Sequence, residues 1–208
     1  MIINKVLVKL YINKVHIVQP CTRIRKLDHR VVFYKFGNTL SPIPPSSFRG
    51  YLRHLARIVV SHTGNKYLNA YLSLFGSDIR EYDPNIHLVS KEGKLIVSLS
   101  QGLNESDFKV GIRPGIRVNR TTGTTAKEAL FFSEYVEIIS KKPIVFNLEF
   151  KEPLSKEEEV LLAATLNLMK NGGTLGGWIS KGMGLIRRIE VEPKDFLKKS
   201  LKLGGVLG

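Results

Sequence analysis

The 208-residue chain has a single cysteine, Cys21, which excludes an intrachain disulfide and a thiolate zinc cluster. No apolar run approaches the ~18 residues that a membrane-spanning helix needs. The opening stretch, MIINKVLVKLYINKV, alternates apolar with polar residues and has neither the long apolar core nor the cleavage site of a signal peptide. A cytoplasmic location with no membrane partner is the expectation. Acid is also scarce: 18 Asp+Glu stand against 32 Lys+Arg, a formal charge of +14 and a pI near 9.9. The shortage is sharpest in residues 1–60, where Asp28 is the only acid among eleven Lys and Arg. A surface charged for thermal stability mixes both signs in networks, whereas this one is lopsided. Each phosphate neutralised by Lys or Arg releases condensed counterions, so a foldable chain of this charge implies a polyanionic partner, with single-stranded RNA as the first expectation.

The hydrophobic share, 43%, is ordinary for a globular domain. Residues 2–19 read as one long strand with a bulge near Asn13, because Val6, Val8, Leu10 and Ile12 share one face. A basic loop spans Pro20 to Leu27, followed by a short strand from Val31 to Phe36. The run Ser41-Pro-Ile-Pro-Pro-Ser-Ser-Phe-Arg-Gly50 leads into a helix, with Ser46 or Ser47 placed to cap its first turn. That helix carries Leu52, Leu55, Ala56 and Val59 on an apolar face and Arg49, Arg53 and Arg57 at four-residue spacing on another. No Glu alternates with these arginines, so they form a candidate phosphate-contact stripe rather than an ion-paired face.

Tyr67–Phe75 reads as a second helix stopped by Gly76, and 76–111 as an insertion holding a strand-like Leu95–Leu99. Residues 112–134, rich in Thr, Gly and Arg at first, suggest a protruding hairpin. Tyr135–Ile139 and Ile144–Phe150 alternate like two strands around a Lys141-Lys142-Pro143 turn. Ser155 and Glu158 form a capping box that opens a helix over Lys156–Met169, ended by Asn171-Gly172-Gly173. Leu185–Val191 is the last strand, and 194–208 a basic mobile tail. The order strand, helix, strand, strand, helix, strand predicts an α+β, ferredoxin-like (RRM-like) domain over 1–193, with insertions at about 20–42 and 76–111 and a thumb hairpin at 112–134.

The most specific local feature is Gly172-Gly-Thr-Leu-Gly-Gly-Trp-Ile-Ser-Lys-Gly-Met-Gly184. Dense glycine permits positive φ and lets backbone approach a ligand closely, so successive N–H groups can cradle phosphates. Lys181 adds charge, and Trp178 either anchors the loop in the core or stacks on a base. The loop is neither a P-loop nor a dinucleotide turn, because it leaves a helix and enters a strand.

The element Gly176-x5-Gly182-Met183-Gly184 resembles the glycine-rich loop of the CRISPR RAMP proteins. Ile43-Pro-Pro-Ser-Ser-Phe-Arg-Gly-Tyr-Leu-Arg53 resembles their Ile-Pro-Gly-Ser-Ser-Leu-Lys-Gly-x-x-Arg signature, with Pro45 where the family usually has Gly. Ile116-Arg-Val-Asn-Arg-Thr-Thr-Gly, followed by Ala129-Leu-Phe and Glu134-Tyr-Val, is similar to a stretch of Csm- and Cmr-type subunits, and Leu74-Phe75-Gly76 has a counterpart too. The resemblance runs from about residue 20 to 190 with the motifs in order. It implies a backbone subunit of a type III effector complex that stacks along crRNA beside other effector subunits and copies of itself. The thumb would kink the duplex of guide and target single-stranded RNA.

By the same resemblance Arg117 and Arg120 stand at the thumb base, and Ser46, Ser47, Arg49 and Arg53 line the guide channel. Arg23, Arg25, Lys26 and Arg30 surround Asp28 in the first loop, and Gly176, Gly177, Lys181, Gly182 and Gly184 complete the RNA-binding set. In the resembling subunits that first loop carries the aspartate of metal-dependent target cleavage. Asp28 is therefore the candidate catalytic and metal-binding residue, for Mg²⁺ or another divalent ion. The alternative for Asp28 is a carboxylate that orders the loop by pairing with neighbouring arginines. Two other functions remain open: a non-catalytic architectural or capping paralogue, and a crRNA-processing endoribonuclease using His29 or His54 as general acid or base.

Overall fold

The alternation of Val6, Val8, Leu10 and Ile12 produces β1 (Lys5–Ile12), whose apolar side chains are buried while Lys5, Leu7, Lys9 and Tyr11 face outward. The computed structural model describes residues 3–24, 27–77, 92–118 and 120–203, without the side chains of 21–24, 117, 126–129 and 202–203. At Asn13 the chain does not bulge and continue. It leaves its sheet, and β2 (Lys14–Val15) and β3 (Val18–Ile24) join a different one. The expected basic loop is thus largely a hairpin of β3 with β4 (Leu27–Val31), followed by a small hairpin of β5 (Tyr34–Phe36) and β6 (Thr39–Ser41).

Helix α1 (Pro45–His62) begins one residue before the serines expected to cap it. Pro44 is the N-cap and Pro45 the first helical residue, a position where the missing N–H costs nothing. Ser46 and Ser47 therefore lie inside the first turn, and neither side chain caps it. Helix α2 (Leu68–Phe75) ends at Gly76, whose φ of 84° a side chain would resist. After β7 (Leu95–Gln101), the long strands β8 (Phe108–Val118) and β9 (Thr125–Ile138) form an antiparallel hairpin. Then come β10 (Ile144–Phe150), α3 (Lys156–Lys170) and β11 (Ile186–Glu192). The Ser155–Glu158 capping box opens α3 with both reciprocal hydrogen bonds made.

The architecture is mixed α+β with several sheets. The first has the order β11-β1-β10-β7, every neighbour antiparallel. Its inner face, with Val6, Val8, Leu10, Phe146 and Leu148, is buried in one core with Phe48 and Leu52 of α1 and Leu161 and Leu162 of α3. Phe48 stacks on Phe146 at 4.2 Å and fastens α1 to the centre of the sheet. The second sheet runs β2-β9-β4-β3, with β8 also on β9.

This topology corrects the strand pairing expected around Lys141-Lys142-Pro143. Tyr135–Ile139 does not pair with Ile144–Phe150. Its strand β9 pairs with β8, β2 and β4, and β10 pairs with β1 and β7. The fourth strand of the first sheet is β7, which lay inside the supposed 76–111 insertion. Alternation identifies a strand but carries no information about its neighbour. The tail also differs from expectation. Lys194–Leu203 is a 3-10 helix with Phe196 fully buried, and Asn167 of α3 donates to the Leu197 carbonyl at 3.0 Å. Among the described residues no helix is long and apolar enough to cross a membrane.

Candidate nucleic-acid interface

The outer face of the first sheet is where an RRM-like platform would be sought, and its charges are already paired. Cross-strand contacts join Lys5 to Glu149 at 3.4 Å and Lys9 to Glu192 at 2.6 Å, and Arg188 meets Glu190 at 2.7 Å. Such exposed pairs contribute little to stability, but they cancel the field an RNA backbone would need. Tyr11 is the only ring that β1, β7, β10 or β11 presents there, and Arg188 covers it at 4.2 Å. The unbalanced positive charge lies elsewhere.

A groove of about 410 Å³ opens between the glycine-rich turn and the first turns of α1. Ser47 and Tyr51 of α1, His16, Ile17 and Val18, and Leu175, Gly176 and Gly177 line it. The turn is held by its own backbone: Leu175 N–H donates to Gly184 O at 2.8 Å, Gly177 N–H to His16 O at 2.7 Å, and Gly184 N–H to Lys14 O at 2.7 Å. Gly182 N–H donates to Ile179 O. These four N–H groups are engaged inside the fold. Gly173, Gly176, Gly177 and Gly184 also serve close packing. Gly184 has φ +80°, and a Cβ there would lie 2.3 Å from Leu175 O.

The rings nearest this turn form a chain that sequence reading did not find. The imidazole of His16 stacks on the Trp178 indole with centroids 4.1 Å apart and planes 10° apart. Phe131 lies 6.2 Å from Trp178, and His29 meets Phe131 edge-on at 5.9 Å. The buried His16 shares a 2.9 Å hydrogen bond between Nε2 and Ser133 Oγ. Burial, then the charges of His29 and Lys181, hold its pKa below the usual histidine value. Lys181 places its ammonium 4.0 Å from the indole centroid. Phe131 belongs to β9 and its ring lies against Gly115 of β8, where a Cβ would fall 2.3 Å from Cζ. The other face of this hairpin exposes Val110, Ile112, Ile116, Val118 and Leu130.

Two of the three arginines of the α1 stripe make hydrogen bonds within the fold. Arg49 donates from Nε to Leu95 O and from Nη2 to Phe75 O, both at 3.1 Å. Arg53 donates to Tyr71 Oη at 3.1 Å and to Gly76 O at 3.3 Å. Two of these acceptors, Phe75 O and Gly76 O, lie at the C-terminus of α2, where a cation is favoured. Burial, then Arg53, lowers the pKa of Arg49. Two residues correspond to about 200° around a helix, so Arg49 stands nearly opposite Ser47. Ser46 and Arg49 line a second cavity, about 620 Å³, with Gly76, Glu92 and Lys151. The residues expected to line the guide channel thus stand on two sides of α1.

Asp28 lies in β4, and its Oδ2 accepts from the Phe132 N–H at 2.8 Å. Arg30, His54 and Lys181 are exposed, and Arg120 is exposed in the turn between β8 and β9. Arg25 and Lys26 lie outside the described residues, as do the side chains of Arg23 and Arg117. Among the described residues no group of three or more His, Cys, Asp or Glu is arranged to hold a metal ion.

The sequence model of the RAMP superfamily matches residues 29–187, well over half of the chain. The chain belongs to the RAMP superfamily. No curated protein matches it. In fold this RAMP protein is similar to a chain of a solved structure described as a type IV-B CRISPR complex, with a TM-score of 0.57 and 14% identity. The likeness covers 91% of this chain and 90% of that one. The matched RAMP region begins within β4, one residue after Asp28, and takes in α1, the β8–β9 hairpin, the glycine-rich turn and every ring of the cluster except His16. His16 escaped sequence reading because its partners, Ser133 and Trp178, are more than a hundred residues away in the chain.

Proposed function

We propose that this protein is an RNA-binding subunit of a CRISPR effector complex and that it holds crRNA along the groove between α1 and the glycine-rich turn. The observation that carries this reading is the placement of Ser47, His16 and the glycine-rich turn around that groove, with the chain of rings running on from His16 and Lys14 and Lys181 lining a second groove beside the same turn. Basic grooves lined with rings suit single-stranded nucleic acid, since bases stack while cations follow the phosphates. Membership in the RAMP superfamily and the fold likeness to a chain of a type IV-B CRISPR complex support it. The order β11-β1-β10-β7, with helices following the first strand and β10, supports a ferredoxin-like core. In the finer form of the proposal, the protein is a type III backbone subunit in the cytoplasm. Copies of it stack along the guide beside other effector subunits and pair the guide with target RNA.

Cleavage of the target is the further part of this reading. Asp28 offers a single carboxylate, which suits Mg²⁺ where RNA phosphates and water supply the remaining ligands. A divalent ion there would neutralise charge on the scissile phosphate. The hydrogen bond from Phe132 N–H to Asp28 favours a second reading, in which the carboxylate ties β4 to β9 and the subunit is architectural. Two measurements test the proposal. Affinity for a single-stranded oligoribonucleotide should fall steeply and log-linearly with salt, and a flat dependence would remove the RNA-binding reading. In the assembled complex Asp28→Asn should abolish Mg²⁺-dependent cutting at unchanged RNA affinity. Unchanged cutting would sink the catalytic part alone.

A further inference from the structure

Trp178 is the only tryptophan in the chain, and it is held in the left-handed region at φ 58° between Gly177 and Ile179. A bulky residue seldom adopts that conformation, and such outliers concentrate where a ligand is gripped. His16 occupies one face of the indole, nearly parallel and at 4.1 Å. The Lys181 ammonium, 4.0 Å from the same centroid, cannot share that face and so covers the other. One side of the ring is therefore a rigid stack, backed by a buried imidazole that Ser133 orients. The other side carries the tip of an exposed lysine. Among the described residues no carboxylate pairs with Lys181.

A tryptophan serving only as a loop anchor would have apolar core on both faces. An exposed cation–π contact is weak, and stacking of a nucleobase on an aromatic ring is the stronger interaction. Lys181 also lines an adjoining groove of about 240 Å³ with Lys14 and Arg187. A displaced ammonium would find a phosphate there. We propose that Trp178 is a base-stacking position: an unpaired base of bound RNA displaces Lys181 from the outer indole face, and Lys181 moves to the neighbouring phosphate. This inference rests on the RNA-binding reading and adds the residue on which a base sits. Phe131, 6.2 Å away and tilted by 52°, bounds the seat on its β9 side.

The single tryptophan makes the test specific. The full-length protein is titrated with a fluorescein-labelled ten-nucleotide poly(A) for anisotropy and with the unlabelled oligonucleotide for intrinsic emission. Polyphosphate serves as a polyanion without bases. Poly(A) should quench Trp178 in step with binding, and polyphosphate should bind without quenching. Binding by anisotropy with unchanged emission would overturn the stacking proposal and leave the RNA-binding reading standing. Absence of binding would overturn both. Trp178→Leu should weaken poly(A) binding by roughly fivefold to a hundredfold, the range for loss of one stacked base, and Trp178→Phe should recover most of it. Should Trp178→Leu fail to fold, Lys181→Met keeps the indole. It should retain the quench while the salt slope falls by about one. A quench that disappears in Lys181→Met would trace the signal to the departing lysine and overturn the proposal.

Discussion

Arg49→Met separates a structural arginine from an RNA contact. The side chain bridges two carbonyls, Phe75 O at the end of α2 and Leu95 O at the start of β7. Hydrogen bonds from a charged donor contribute about 1.5–3 kcal/mol each. Ordering a long side chain offsets roughly 2 kcal/mol of that gain. Burial and the neighbouring Arg53 work against the charged form of Arg49, so the lower part of the range applies and the net loss should be about 1–2 kcal/mol. Methionine fills much of the same volume, which keeps cavity effects small. Urea unfolding followed by circular dichroism reads this directly. With a slope near 2 kcal/mol/M, the midpoint should fall by about 0.5–1 M. RNA affinity at a temperature where the variant is folded should change less than twofold. A midpoint within about 0.2 M of wild type, joined to a large loss of RNA affinity, would refute the assignment and return Arg49 to the guide channel.

Two further perturbations probe the supports of the interface. Gly184→Ala forces a side chain into φ +80° and against Leu175 O, so it should cost at least ~2 kcal/mol in the same unfolding assay; a neutral result would mean that the glycine-rich turn relaxes freely. Lys94→Met breaks a shielded pair with Glu158 at 2.6 Å and should cost about 3–5 kcal/mol, because a buried carboxylate loses its partner. Burial pushes the Glu158 carboxyl up, but Lys94 and the Ser155 N–H together hold it below its ordinary value of 4.5. A depressed carboxyl stabilises the fold above that value and loses its contribution as pH falls through the lower folded one. The gap in Tm between wild type and Lys94→Met should therefore be full at pH 7 and shrink below about pH 4, and a constant gap would exclude the pair as its source.

Elements set by neighbouring residues were legible in the chain. The Ser155–Glu158 box opens α3, Gly76 stops α2, and the alternation in residues 5–12 makes β1, because caps, turns and periodicity act within a few residues. The excess of Lys and Arg over acid was legible too, since net charge requires no fold. The destination of each charge was not. Arg49 and Arg53 form a stripe in sequence, yet α2 folds back to offer them carbonyls. Lys5 and Lys9 are neutralised by acids more than 140 residues away. β9 takes β8 as its neighbour rather than β10, a choice made by burial across whole sheets and not by the Lys141-Lys142-Pro143 turn. Sequence alone determined that the protein is a basic α+β chain with a glycine-rich turn between a helix and a strand. Tertiary structure alone decided that His16 and Phe131 meet Trp178 at that turn, with His29 beyond Phe131, because ring contacts between distant segments exist only once the two sheets have formed.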